Sequence, residues 1–151
     1  MSYIIYTDGS CRGNGTKNSS GGFGVVITKD DELVATYRKD CETGTTNNRE
    51  ELKAILYAFS EYGKYNPIVY SDSAYCVNAI NIWMWNWKTF NWIKPTDKRA
   101  PENVDLFKAF DRLYNMGLRM DLRKISGHSG HKWNELADKL ATGEEEATIG
   151  K

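Results

Sequence analysis

Two stretches of the chain, Tyr3-Ile4-Ile5-Tyr6-Thr7-Asp8 and Ile68-Val69-Tyr70-Ser71-Asp72, share one pattern: apolar and aromatic residues, a hydroxyl, then an aspartate followed by a turn signal. Short runs of this composition suit a pleated, half-buried surface, so each is expected to be a strand, the first buried and ending at Asp8. Between them Leu52, Ile55, Leu56 and Phe59 recur at helical spacing until Gly63. A strand joined to another through a crossover helix lies parallel to its partner in the same sheet. Asp8 and Asp72 then occupy the same phase at the carboxyl ends of neighbouring strands, where open α/β sheets collect ligands.

The remaining segments complete an order of β-β-β-α-β-α-α-β-α. Six of the sixteen residues from Gly9 to Gly24 are glycine, which predicts a loop. Gly24 to Thr28 and Leu33 to Arg38 flank Lys29-Asp30-Asp31-Glu32 as strands flank a hairpin turn, so strands one to three form an antiparallel meander. Thr45-Thr46-Asn47-Asn48 supplies caps for the crossover helix. An amphipathic stretch through Val77, Ile80, Met84 and Trp87 precedes a basic and aromatic segment from Lys88 to Arg99. A helix from Val104 to Met116 buries Leu106, Phe107, Phe110 and Leu113, a strand runs from Arg119 to Ile125, and a last helix from Trp133 to Ala141 turns Leu136 and Leu140 inward. The fold class is therefore α/β, a five-stranded mixed sheet with three antiparallel and then two parallel strands and helices on its faces. Residues 1–142 are expected to form a single domain, and 143–151, with Glu144-Glu145-Glu146, a solvated, frayed tail.

A chain of 151 residues with 40% hydrophobic and 26% charged residues buries enough surface for a core without staples. Cys11, Cys41 and Cys76 form no C-x-x-C pair and cannot all be bridged, which suits inert thiols in a reducing compartment. No apolar run reaches the length of a membrane span and the start lacks the basic flank of a signal peptide, so the cytoplasm is the expected location. Twenty basic residues balance twenty acidic ones, which on its face argues against a polyanionic partner. Carboxylates neutralised by divalent cations would leave the chain net positive, so a nucleic acid stays admissible. Neither G-x-x-x-x-G-K-[ST] nor G-x-G-x-x-G occurs, which leaves no small-molecule cofactor signature, and no subunit interface pattern stands out, so a monomer is expected.

Two adjacent carboxylates repel. They either share a proton, as in an acid-base dyad, or recruit a hard cation, and oxygen ligands without thiolates favour Mg²⁺ or Mn²⁺. Strand-end aspartates also serve simply as turn formers. Helical phase separates the two candidates for a third ligand: Glu51 lies about 90° from the core face and reaches the sheet edge, whereas Glu50 falls nearly opposite it and is expected to face water. In the last helix Asp138 sits well off the apolar face, and phase alone makes it a solvent-exposed acid.

Tyr6-Thr7-Asp8-Gly9-Ser10-Cys11, Thr45-Thr46-Asn47-Asn48-Arg49-Glu50-Glu51-Leu52, Tyr70-Ser71-Asp72-Ser73 and Gly127-His128-Ser129-Gly130-His131 with Asn134 and Asp138 together resemble the type 1 ribonuclease H family, bacterial or phage-like, in order and spacing from about residue 3 to 142. The resemblance implies that Asp8, Glu51, Asp72 and Asp138 are four metal-binding catalytic carboxylates. The implied reaction is two-metal-ion hydrolysis, with Mg²⁺ or Mn²⁺, of the RNA strand of an RNA/DNA hybrid, leaving 5′-phosphate and 3′-hydroxyl ends. His128, in a glycine-flanked loop, would assist proton transfer or product departure. His131 is expected to make a local hydrogen bond that shapes the loop.

An RNA strand is told from DNA by its 2′-hydroxyls, which small polar groups and exposed backbone read well. Gly9, Ser10, Cys11, Asn14, Asn47 and Asn48 are of that kind, and the resemblance implies 2′-hydroxyl and minor-groove contacts at these positions, with Cys11 acting largely through its backbone. The resemblance assigns Thr46, Arg49 and Asn103 to a DNA-phosphate pocket, Tyr75 and Trp87 to the DNA sugars, and Lys88, Lys94, Lys98 and Arg99 to a basic handle. Three departures stand out: the loop from Gly13 to Gly22 lacks the family's Gly-Asn-Pro-Gly, Ala74 replaces a common glutamine, and the handle carries less charge. Together they predict weaker, more salt-sensitive substrate binding. The acid cluster alone would also suit a DNA-cutting resolvase, but DNA lacks the hydroxyls that the glycine and asparagine positions would read.

Overall fold

The first strand outruns its apolar segment. In the computed structural model, which describes residues 2–12, 20–126 and 131–147, β1 (Tyr3–Arg12) continues four residues past Asp8 and pairs antiparallel with β2 (Ser20–Lys29). The described parts of the expected Gly9–Gly24 loop, residues 9–12 and 20–24, are thus ladder. Gly9, Gly21, Gly22 and Gly24 are strand positions where another element or strand comes close, a use of glycine that composition does not separate from a loop. β2 turns at Asp30 and Asp31, both with positive φ, into β3 (Glu32–Asp40).

Helix α1 (Asn47–Tyr62) starts at Thr46, whose hydroxyl accepts a hydrogen bond from the Arg49 amide at 3.1 Å. A 3₁₀ turn (Gly63–Tyr65) leads to β4 (Ile68–Ser71), which lies parallel to β1 with Ile5 opposite Val69 and Tyr6 opposite Tyr70. One helical run follows, α2 (Ala74–Asn78) and α3 (Met84–Thr89) joined by a π-helical turn (Ala79–Trp83). That run buries Ile80 and Met84 and leaves Trp83 and Trp85 exposed. Then come α4 (Val104–Asn115), β5 (Asp121–Lys124), parallel to β4, and α5 (Lys132–Thr142). The sheet order is β3-β2-β1-β4-β5, the mixed five-stranded arrangement expected from the sequence.

Alternation along β1 and β2 sorts side chains between two cores. Ile5, Val25 and Ile27 join Leu52, Ile55, Phe59, Phe107 and Phe110 under α1 and α4, while Tyr6 and Val26 meet Ala137 and Leu140 of α5 on the other face. Each fully buried Phe contributes on the order of 2 kcal/mol through area removed from water. Arg38 Nε donates to the Leu140 carbonyl at 2.9 Å, and Gly143, with φ +86°, closes α5 in the left-handed conformation. In the described part of the tail Glu144, Glu145 and Glu146 are exposed, while the Glu144 amide donates to the Lys139 carbonyl and Ala147 is buried.

Candidate active site

The parallel register of β1 and β4 carries Asp8 and Asp72 side by side off the sheet's carboxyl edge. Two glycines decide what joins them. A Cβ on Gly9 would overlap the backbone of Glu50 and Glu51, so the first turn of α1 presses directly onto β1 and delivers Glu51 beside Asp8. Gly24, opposite Asp8 in β2, would collide through a Cβ with Leu140 and the Ala137 carbonyl. That contact seats α5 on the opposite face and brings Asp138 within hydrogen-bonding reach of Asp8.

Carboxylate oxygens of Asp8, Glu51 and Asp72 all lie within 4.8 Å of one another. Asp138, although exposed on its helix, closes the group, and with Asp8, Asp72, Asn134 and Glu135 it lines a cavity of about 30 Å³. Spacing did not single out Asp138, Asn134 or Glu135, since their approach depends on how α5 lies across Gly24. Burial, then the charge of Glu51 and hydrogen bonds to Glu51 and Asp138, push the Asp8 carboxyl far above the usual carboxylate range, which favours a proton held by the Asp8–Glu51 pair when no cation is bound. Burial likewise raises Glu51 to about 7, opposed by the hydrogen bond from Asp8 and assisted by the charge of Asp72. The Gly9 amide and Ser71 Oγ, 3.4 Å away, also donate to Glu51. An all-oxygen donor set whose members repel one another fits a hard divalent cation, which replaces the shared protons.

Glu50 corrects the sequence expectation. It is fully buried rather than water-facing, because the segment before α1 folds over that flank: Thr45 Oγ1 donates to Glu50 Oε2 at 2.6 Å and Lys53 Nζ sits 3.0 Å from the same oxygen. The second oxygen, Oε1, has no partner among the described residues. Helical phase locates the core face but carries no information on a loop that covers another side.

Of the residues proposed for the RNA strand, Gly9, Ser10 and Cys11 lie in β1 beside the N-terminus of α1. The Cys11 amide is donated to Asn47 Oδ1 at 2.7 Å and its thiol points to the Thr45 carbonyl at 3.4 Å, so that backbone donor is already engaged. Asn48 is exposed at the helix start. Asn14 and His128 lie outside the described residues. His131 makes a long-range contact rather than a local one: its Nε2 is 3.5 Å from Tyr6 Oη and its ring centroid is 5.0 Å from that of Tyr6, tying the start of α5 to β1.

The proposed DNA-strand residues converge. Arg49 donates to Asn103 Oδ1 at 3.3 Å, Asn103 hydrogen-bonds Tyr75, and Thr46 caps α1 beside them. Arg49 is also held in a fork by Asp105, a partner the sequence gave no sign of. Trp87 packs on Phe107, ring centroids 5.3 Å apart, and Trp83 on Tyr75. In the handle, Lys88 pairs with Asp111 at 2.8 Å and Lys94 with Asp97 at 2.9 Å, whereas among the described residues Lys98 and Arg99 have no acidic side chain in salt-bridge range. The three cysteines are free, and among the described residues no helix is long and apolar enough to cross a membrane.

A mixed sheet whose carboxyl edge gathers carboxylates from two strands and from helices on both faces defines a nuclease-type acidic site. The sequence profile of the RNase H family matches residues 1–146, and the chain belongs to the ribonuclease H family. It is 40% identical over 143 residues to ribonuclease H of Clostridium botulinum (strain Hall), covering 91% of both chains. Among solved structures it is similar to LC9-RNase H1, described as a type 1 RNase H with the type 2 active-site motif, at 29% identity and a TM-score of 0.78, covering 97% of this chain and 74% of that one. It also shares the fold of LC11-RNase H1, solved in complex with an RNA/DNA hybrid, at 22% identity and a TM-score of 0.65, covering 94% of this chain and 97% of that one.

Proposed function

We propose that this chain is an endoribonuclease that hydrolyses phosphodiester bonds in the RNA strand of RNA/DNA hybrids, leaving 5′-phosphate and 3′-hydroxyl ends. The observation that carries the reading is the approach of Asp8, Glu51 and Asp72 to within 4.8 Å in a chain of this family. Asp8, Glu51, Asp72 and Asp138 would hold two Mg²⁺ ions, with Mn²⁺ as a substitute. When bound, such ions supply an activated water and stabilise the leaving 3′ oxygen of an in-line displacement.

The chain's own groups do the rest. Deprotonated Asp8 and Glu51 hold the positive charge at the sheet edge, and the Gly9 amide and Ser71 hydroxyl orient Glu51. His128 assists proton transfer or product departure. Gly9, Ser10, Cys11, Asn14, Asn47 and Asn48 meet the 2′-hydroxyl face of the RNA. Thr46, Arg49, Asn103, Tyr75 and Trp87 meet the DNA strand, and Lys88, Lys94, Lys98 and Arg99 add charge along it. A monomer working in the cytoplasm agrees with three unbridged cysteines and the absence of an interface pattern.

The test is incubation with Mg²⁺ and labelled RNA/DNA hybrid, single-stranded RNA, duplex RNA or duplex DNA, each with and without chelator. Cutting of only the hybrid's RNA, lost with chelator, is the expected result. Cutting of DNA would reassign the site to resolvase-like chemistry.

A further inference from the structure

Arg49 stands on the first turn of α1 and Asp105 on the first turn of α4, and the two join the helices as a fork. Nη1 lies 3.0 Å from Oδ1 and Nη2 2.6 Å from Oδ2, while Nη1 also reaches Asn103. A phosphate offers the same pair of oxygens as a carboxylate, so it competes for the same edge of the guanidinium. The Asp105 side chain is 61% exposed, so burial does not lock the pair and a competing anion can approach it. As long as the fork is closed, the positive charge of Arg49 is cancelled next to the place where the DNA backbone is expected.

We propose that Asp105 is a positioning residue that sets, through Arg49, how strongly the protein holds the phosphate of the DNA strand. The inference rests on the reading of Thr46, Arg49 and Asn103 as a DNA-phosphate pocket. Each ionic contact with a backbone phosphate adds about 0.9 to the slope of log affinity against log salt concentration. The closed pair withholds one such contact, and its removal restores it.

The experiment measures hybrid affinity by fluorescence anisotropy across a salt series, in an Asp8→Asn background that stops cleavage. Four chains are compared: the background alone, and the background with Asp105→Asn, Arg49→Gln or both. Asp105→Asn is expected to tighten binding roughly 3- to 10-fold at low salt and to steepen the salt slope by about one. Arg49→Gln weakens binding only slightly, since the paired arginine contributes little, and adding Asp105→Asn to it tightens binding far less than Asp105→Asn does beside Arg49. In the cleaving protein, Asp105→Asn acts on KM more than on kcat.

Equal tightening with and without Arg49 would overturn the proposal, because Asp105 would then act as a general negative charge. Unchanged affinity, or weaker binding at an unchanged slope, would overturn it in favour of a simple brace between helices, and thermal melting of each variant separates that from misfolding. A wild-type protein that leaves the hybrid uncut overturns the nuclease reading itself. A wild type that cuts beside an Asp105→Asn chain that binds no tighter overturns this inference alone.

Discussion

Glu50 and Glu51 are neighbours on one turn of α1 and both are buried, at 0% and 7% exposure, yet their surroundings are opposite. Glu50 receives a hydroxyl from Thr45 and the ammonium of Lys53, so the chain supplies the donors and the cation. Glu51 receives the Gly9 amide and a serine hydroxyl but faces the carboxyls of Asp8 and Asp72. A buried carboxylate is tolerable when its charge is matched inside the protein. Where the chain supplies further carboxylates instead, the matching charge comes from outside, as protons or as a metal ion.

The largest effect that sharpens this contrast is catalytic. Asp8→Asn should lower single-turnover cleavage of the hybrid by on the order of 10³-fold or more, since residues that act as one unit fail together. Hybrid affinity should hold or tighten, because a repelling charge leaves while the groove contacts stay; equal loss of both would break the assignment. Glu50→Ala tests the other side. It strips the anionic partner from Lys53 and Thr45, and chemical denaturation should show a loss of about 3 kcal/mol with Asp8, Glu51, Asp72 and Asp138 intact.

The third prediction is the pH dependence of the metal-free protein. Glu51 is raised from 4.5 to about 7 on folding, so between those pH values the native state binds more protons than the unfolded chain. The stability this contributes is fully present below about pH 4.5 and is lost as pH rises through about 7, the reverse of a salt-bridged carboxylate. Thermal melting in chelator should therefore fall by at least roughly 3–6 °C over that window, a size set by one to two kcal/mol from Glu51 in a chain of this length, with Asp8, raised in the same direction, adding to the fall. Saturating Mg²⁺ should remove the fall, and a flat chelator profile would mean that the cluster is already matched from within. The smallest effect lies in the handle: Lys94→Ala with Lys98→Ala should raise KM a few-fold, about 3-fold at low salt, and flatten its salt dependence while kcat changes little. Because Lys94 is paired with Asp97, most of that effect should come from Lys98.

The adjacency of Asp8 and Asp72 was legible in the sequence because strand alternation and the crossover rule are local regularities with few exceptions. Glu51 followed from helical phase. The position of Asp138 did not, since it depends on α5 crossing Gly24, a contact between segments more than a hundred residues apart. Only the family resemblance raised it. The same regularities misled at Glu50, where a loop covers the flank of α1, and at Gly9–Arg12, where glycine density concealed a strand on which a helix rests. The Arg49–Asp105 fork joins two helix starts and left no trace in spacing.

One measurement addresses the idea that this sheet edge is built for a cation at a cost in stability: the melting temperature of wild type and Asp8→Asn at neutral pH, each with Mg²⁺ and with chelator. The upward shift of Asp8 favours a proton on the Asp8–Glu51 pair in the metal-free fold that the unfolded chain releases at neutral pH. Asp8→Asn should therefore melt about 5 °C or more above wild type in chelator. Mg²⁺ should raise the wild type in a concentration-dependent way and leave the variant nearly unmoved. An Asp8→Asn chain that melts at or below wild type in chelator, with neither protein responding to Mg²⁺, would contradict the account.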